Sequence, residues 1–176
     1  VMRLVREGIT ARHFITEKSI ENAIMVNIAC AGSTNLLLHI PAIAHEAGID
    51  RDWWSYFDQA SHDIPLLVCI APSDPRHYFV DFDAAGGFKA FMHNLMPKLH
   101  QDCPTINGKT IYENYKDAKV YNPEVIHSID DPVIDDGGIA VLHGNIAPDG
   151  AIVKLAGVPT NLYHFEGKAI IFHEID

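Results

Sequence analysis

The sequence predicts an α/β chain, mostly helical over its first hundred residues and stranded beyond residue 136. Three observations carry that reading. The first half shows helix caps and a helical apolar stripe, the period becomes that of strands after Gly137-Gly138, and between the two patterns Pro, Gly, Asn and Asp accumulate.

Residues 1–8, with Arg3, Arg6 and Glu7, read as the last turns of a helix rather than a signal peptide, as if the chain were cut inside a domain. Thr16 caps a helix from Glu17, with acidic Glu17 favouring the helix dipole. Ile20, Ala23, Ile24 and Ile28, with Asn27 beside them, give the apolar stripe of a buried helix that ends at Ala31-Gly32. Ser33 or Thr34 then caps a second helix through residues 36–47, closed by Gly48. Pro41 implies either a late start or a kink in that helix. Asp50 is expected to cap a third helix over 52–57, and the apolar run 64–70 suits a buried strand. After a loop at Pro72, Asp74 and Pro75, residues 78–83 read as a strand or extended segment, and Ala84-Ala85-Gly86-Gly87 lead into a helix over 88–99.

Residues 101–136, with Pro104, Asn107-Gly108, Asn122-Pro123 and the acids Asp130, Asp131, Asp135 and Asp136, form the expected connector. Strands follow at 139–143, 151–155 and 169–172, with a turn at Pro148-Asp149-Gly150. Three such strands with open edges make a poor independent unit and read as the start of a β domain.

Composition narrows the function. With 176 residues, 48% of them hydrophobic and 20% charged, the chain is long and apolar enough for a real core. A formal net charge of −10, from 23 acidic and 13 basic residues, argues against a nucleic-acid partner. The most apolar stretch, 24–43, is interrupted by Asn27, Gly32, Ser33, Thr34, Asn35 and His39, so no membrane partner is expected and the protein reads as soluble. Cys30, Cys69 and Cys103 are odd in number and widely spaced, which fits a reducing cytoplasm better than a disulfide framework or a zinc ribbon.

Chemistry-bearing clusters are few. The 11 histidines include His39 and His45, and His93 and His100, without the compact spacing of a metal site. Asp81 and Asp83 would share one face of a strand and could hold a hard cation, although a solvated strand end is the plainer reading. Gly86-Gly87 and Gly137-Gly138 lack the context of a phosphate-binding loop, so no nucleotide cofactor is expected, and Cys30 reads as structural. The Gly32-Ser33-Thr34-Asn35 corner stands out, because amides at a helix start beside two hydroxyls and a carboxamide could bind a carboxylate, or could be an ordinary cap.

At this corner the sequence resembles a known family. The run Ala31-Gly32-Ser33-Thr34-Asn35-Leu36-Leu37-Leu38-His39-Ile40-Pro41-Ala42-Ile43-Ala44-His45, continuing to Asp50, is similar to a hallmark segment of the dihydroxy-acid and 6-phosphogluconate dehydratases. Ile64-Pro65-Leu66-Leu67, Asp83-Ala84-Ala85-Gly86-Gly87 and the segment 137–154 resemble later segments of the same family, in the same order.

The resemblance implies a fold: residues 1–100 as the mostly helical C-terminal part of an N-terminal α/β domain, 101–136 as connector, and 137–176 as the first strands of a C-terminal β-barrel-like domain. It implies a parent hydro-lyase that removes water from a 2,3-dihydroxy acid by β-elimination. An iron–sulfur cluster, [2Fe-2S] or [4Fe-4S], would act on the leaving 3-hydroxyl, and Mg2+ would help hold the carboxylate. It also implies a cytoplasmic homo-oligomer acting on a small sugar acid. Trp53-Trp54 and the short 101–136 stretch resemble the sugar-acid branch, with an aldonate such as xylonate as substrate and dihydroxy-acid or phosphogluconate substrates as alternatives.

The family's cluster cysteines, in segments including a Cys-Asp-Lys motif, are expected upstream of this chain, and its serine base, in a Thr-Asp-Gly-Arg-x-Ser-like segment, downstream. Neither motif occurs here, so no metal ligand or catalytic residue is assigned and the 176 residues alone are expected to be inactive. Ser33, Thr34, Asn35 and His39 are the residues the resemblance places at the substrate. The rival reading is a non-catalytic binding or assembly domain.

Overall fold

The computed structural model of the chain describes residues 1–171. Helix α1, Met2–Arg6, is short and exposed, and a single 3-10 turn over Ala11–His13 separates it from α2, Glu17–Ala29. Thr16 caps α2 as expected: its Oγ1 accepts the Ser19 N–H at 3.2 Å while Ser19 Oγ accepts the Thr16 N–H at 2.9 Å. A reciprocal cap of this kind stabilises a helix by about 1 kcal/mol. Ile20, Ile24, Met25, Ile28 and Ala29 are buried and make α2 the centre of the core. Ala23, expected in the stripe, is exposed, because Met25 and Asn27 rotate the buried face away from it.

The end of α2 is built from a left-handed alanine. Ala31 has φ 45°, its N–H donates to the Ile28 carbonyl at 3.2 Å, and the Gly32 N–H donates to the Asn27 carbonyl at 2.8 Å. This is a Schellman closure with Ala where Gly is usual, at a cost of about 1–2 kcal/mol in backbone strain. Buried packing of Ala31 with Leu66 and Cys69 offsets part of that cost.

Helix α3, Leu36–Glu46, starts after Asn35, and neither Ser33 nor Thr34 caps it through a side chain. Ser33 Oγ is taken up accepting the Asn35 N–H at 3.2 Å. Pro41 sits inside α3 rather than in its first turn, so a late start is ruled out. Helix α4, Trp53–Asp63, is capped by Asp52, not Asp50: Asp52 accepts from the Ser55 N–H at 3.1 Å and from Ser55 Oγ at 2.6 Å. It buries Trp53, Phe57 and Ala60 and leaves Trp54 in solvent. Helices α3 and α4 both pack on α2.

Residues 64–70 are extended and buried through Cys69, with Ile70 half-buried, but form no strand, because their backbone partners come one at a time. The Leu67 N–H reaches the Ala29 carbonyl at 2.8 Å, and Leu66 exchanges bonds with Val133 and Ile134 at 2.8 and 3.0 Å. Residues 78–83 are a correction of kind: Phe79–Ala84 is helix α5. Asp81 accepts the Tyr78 N–H at 2.7 Å, and Phe79 meets Phe82 three residues on, so capping and i,i+3 contact override the β-like composition. Helix α6, Gly87–Leu95, buries Ala90, Phe91 and Leu95. Pro97 then tightens the chain into a 3-10 turn over Met96–Lys98, where a continuous helix to residue 99 was expected.

The segment 101–136 carries helix α7, Ile111–Tyr115, with a Thr110–Glu113 capping box, and contributes Ile111, Val125 and Ile126 to the main core. Strands β1, Ala140–Leu142, and β2, Ala151–Val153, pair antiparallel with Val141 opposite Ile152. Residues 169–171 form no strand, and Phe172, the last residue of that expected strand, lies outside the described residues. The described architecture is therefore a helical assembly around α2, followed by a small antiparallel hairpin whose β1 packs on α4.

Gly137 and Gly138 explain how the hairpin enters this core. The Gly137 N–H donates to the Ser61 carbonyl at 2.7 Å and the Gly138 N–H to the Ile28 carbonyl at 3.2 Å. A Cβ on Gly137 would stand 2.2 Å from Ile28 Cγ2, and one on Gly138 2.6 Å from the Ala31 Cβ. Only glycine lets the backbone pass between α2 and α4 this closely.

Candidate functional site

The corner between α2 and α3 forms one wall of a polar cleft of about 340 Å3. Cys30, Gly32 and Ser33 come from the corner, Pro72 and Ser73 from the loop after the buried extended segment, and Lys154 from the end of β2. Each wall is held by local hydrogen bonds. The buried Asn27 donates from Nδ2 to the Ser33 carbonyl at 3.4 Å and lies against Gly32, where a Cβ would come 1.9 Å from its Oδ1. That Oδ1 is buried without a partner among the described residues.

The second wall is a tight loop. The Ser73 N–H donates to the Ile70 carbonyl at 3.0 Å, and the Ala71 N–H to the His77 carbonyl at 2.8 Å. Arg76 grips Asp74 through Nε at 3.0 Å and Nη2 at 2.6 Å, and this guanidinium holds the Asp74 carboxyl at about 2, well below the usual carboxylate range. The Ala71–Pro72 peptide is cis.

Electrostatically the cleft differs from the rest of the chain. The net charge is −10, yet this cleft has one cation, Lys154, two hydroxyls and no carboxylate among its lining residues. Such a donor set suits a carboxylate or another small anion. Burial pushes the half-buried Cys30 thiol up to about 11, so it is a neutral, unreactive wall at neutral pH.

Of the residues expected at a substrate, only Ser33 lines this cleft. Thr34 and Asn35 are exposed on the corner beside it. His39 lies on α3 along a separate, open cleft of about 530 Å3, together with Arg12, Ile43 and Glu46. The expected cup of amides at the helix start is largely closed, because the Leu36, Leu37 and His39 N–H groups turn back onto the Ser33, Thr34 and Asn35 carbonyls. Lys154 and Ser73 were not singled out in the sequence; Lys154 carries no spacing signal and is placed only by the β1–β2 register.

The other candidate clusters resolve into structure. Asp81 and Asp83 fall on helix α5, where positions two apart point in different directions, and Asp81 is already used at the Tyr78 N–H. His100 pairs with Glu21, and His93 and His127 each meet a backbone carbonyl at 3.0 Å. No three His, Cys, Asp or Glu side chains converge as metal ligands among the described residues. Burial also raises the Cys69 and Cys103 thiols, the opposite of the shift a ligand thiolate needs. These residues do not fit an iron–sulfur cluster. No described helix is long and apolar enough to cross a membrane.

Comparison with known proteins places these features in context. Residues 1–114 match the family model described as "Dihydroxy-acid/6-phosphogluconate dehydratase N-terminal", and residues 124–176 match its C-terminal counterpart. The chain is 43% identical to a protein of Ignicoccus hospitalis named "Dihydroxy-acid dehydratase", covering 98% of this chain and 31% of that protein. It is 43% identical to "Dihydroxy-acid dehydratase 1" of Methanosarcina acetivorans, covering 98% of this chain and 32% of the relative. A "Dihydroxy-acid dehydratase" of Agathobacter rectalis is 44% identical, with 98% of this chain and 31% of the relative aligned. The chain thus spans under a third of the length of these curated relatives.

Proposed function

The chain belongs to the dihydroxy-acid/6-phosphogluconate dehydratase family, and from that premise we propose that its parent enzyme is a hydro-lyase converting a 2,3-dihydroxy acid into a 2-keto acid. The observation that supports the substrate class is the alignment of nearly this whole chain with relatives named dihydroxy-acid dehydratase. The sugar-acid reading has less support. Trp53, half of the pair that suggested it, is a core residue of α4, and the segment 101–136 contributes to the core.

Within that reaction this chain binds and orients. Lys154 and Ser33 seat the substrate carboxylate, Ser73 closes the opposite side, and Thr34 and Asn35 border the opening. His39, on its separate cleft, has no part in the carboxylate seat. Fixing the carboxylate fixes C2 and C3 relative to whatever groups remove the proton and the hydroxide, which is how a binding wall contributes to rate. The iron–sulfur cluster and Mg2+ implied by the resemblance belong, in this proposal, to other segments of the parent, and no step is assigned to them here. The division into 1–100, 101–136 and 137–176, the homo-oligomeric state and the cytoplasmic location are parts of the same proposal.

The test is made on the full-length parent purified without oxygen: iron and sulfide content, with 2-keto acid release from a panel of 2,3-dihydroxy acids and aldonates. Turnover of dihydroxy acids is expected, with Lys154→Ala raising KM about tenfold or more through loss of a charge-assisted hydrogen bond. Preference for aldonates would restore the sugar-acid reading. An iron-free protein inert on the whole panel would favour the binding or assembly domain.

A further inference from the structure

A second pocket, of about 230 Å3, lies directly beside the polar cleft, and Cys30 and Ile70 line both. Its character is the reverse. Val68, Phe79, Phe82, Phe88 and Phe91 complete the wall, with no ionisable group apart from the Cys30 thiol. Two ring pairs brace it, Phe79 with Phe82 at 5.8 Å between centroids and Phe88 with Phe91 at 6.1 Å. Phe82 and Phe91 are buried and fix the floor, whereas Phe79 and Phe88 are 71% and 50% exposed and form the rim.

The two pockets together have the polarity of an amphipathic small acid: an anion seat at Lys154 and Ser33, and an aromatic recess that shares the Cys30 and Ile70 wall with it. The recess is smaller than a typical whole-ligand site and suits a compact alkyl group. A hydroxylated chain entering it would lose its hydrogen bonds to water and find no polar partner, which disfavours aldonates there.

We propose that Phe79 and Phe88 form the rim of a specificity pocket for the apolar substituent on C3 of the substrate, with the carboxylate held in the adjoining polar cleft. This rests on the dihydroxy-acid reading and deepens it, since it assigns the selection of alkyl-bearing over hydroxyl-bearing acids to named residues of this chain.

The experiment uses the full-length holoenzyme and two probe acids, 2,3-dihydroxy-3-methylbutanoate, which carries two methyl groups on C3, and 2,3-dihydroxypropanoate, which carries none. The ratio of their kcat/KM values is measured for the wild type, Phe79→Ala, Phe88→Ala, the double variant and the conservative Phe79→Leu. The ratio is expected to fall about tenfold or more in the alanine variants, chiefly through KM for the methylated acid, and to recover in Phe79→Leu. Equal losses on both acids, or an unchanged ratio, would overturn the pocket while leaving the dihydroxy-acid reading standing. Lower thermal stability with a constant ratio would do the same, and would mean that another surface covers these rings. Failure of the wild-type holoenzyme to act on either acid would overturn both readings.

Discussion

Asn27 and Gly32 are in contact across the α2–α3 corner so closely that a methyl group on Gly32 would stand 1.9 Å from Asn27 Oδ1. Because Asn27 is buried and tied through Nδ2 to the Ser33 carbonyl, it has no room to retreat. Gly32→Ala is expected to destabilise the parent by about 1–3 kcal/mol and to raise KM by displacing Ser33. In a double-variant cycle, Asn27→Ala should relieve much of that loss. Simple additivity of the two changes would contradict the contact.

Cys30 is expected to resist alkylation until the pH is strongly alkaline. Its thiol is raised by burial from 9.0 to about 11, so the folded state disfavours the thiolate. Its contribution to stability is fully present below pH 9 and is lost as pH rises through 11, because only the unfolded chain ionises readily in that window. Iodoacetamide labelling followed by mass spectrometry reads this directly. Rapid labelling of folded Cys30 at pH 8 would show the thiol is not shielded.

The Asp74–Arg76 clamp predicts the opposite pH dependence for the loop that carries Ser73. Asp74 is depressed to about 2, first by the Arg76 side chain and then by the Arg76 backbone N–H, so its stabilising contribution is present above about pH 4 and lost as pH falls towards 2. Arg76→Gln should lower the thermal midpoint at pH 6, with the difference from wild type shrinking through pH 4 to 2. A difference that stays constant over that range would place its origin elsewhere. The clamp is largely exposed on the Arg76 side, so the effect is expected to be small.

Arg51, in the loop before α4, ties α2 to α4 without entering the core. Its guanidinium bonds Glu17 at 2.9 Å and Glu21 at 2.5 Å while lying 5.4 Å from the Trp53 ring centroid and 4.6 Å from that of Tyr56. Arg51→Ala is expected to cost about 1–2 kcal/mol, and Arg51→Lys to recover only part, because an ammonium cannot bridge two carboxylates and stack in the same pose. Urea denaturation of the parent and the two variants measures both. Full recovery by lysine would reduce Arg51 to a point charge.

How much of this was legible in the sequence depended on whether the deciding interaction was local. The Thr16 cap, the closure of α2 near Ala31-Gly32, the end of α3 at Gly48 and the two hairpin strands were all readable, since each rests on residues within a few positions of one another. The helix at Phe79–Ala84 was missed because six residues rich in Phe and Val look strand-like, and its stabilising bond comes from one aspartate to one amide. Residues 64–70 have the apolar composition of a buried strand, but whether they pair as one depends on Ala29, His127 and Ile134, which lie far off along the chain. At the candidate site, Ser33 was reached through motif similarity. Lys154 and Ser73 reach the cleft only once the hairpin and the 71–77 loop are in place.

The glycine pair at 137 and 138 bears on recombination between relatives. Because the backbone there is threaded between Ile28, Ser61 and Ala31, a crossover placed just before Gly137 would join one parent's thread to another parent's eyelet. Chimeras of family members should therefore keep residues 28–31, 61–64 and 137–139 from a single donor, and junctions on the exposed stretch at 143–146 should be tolerated far better than junctions at 130–138.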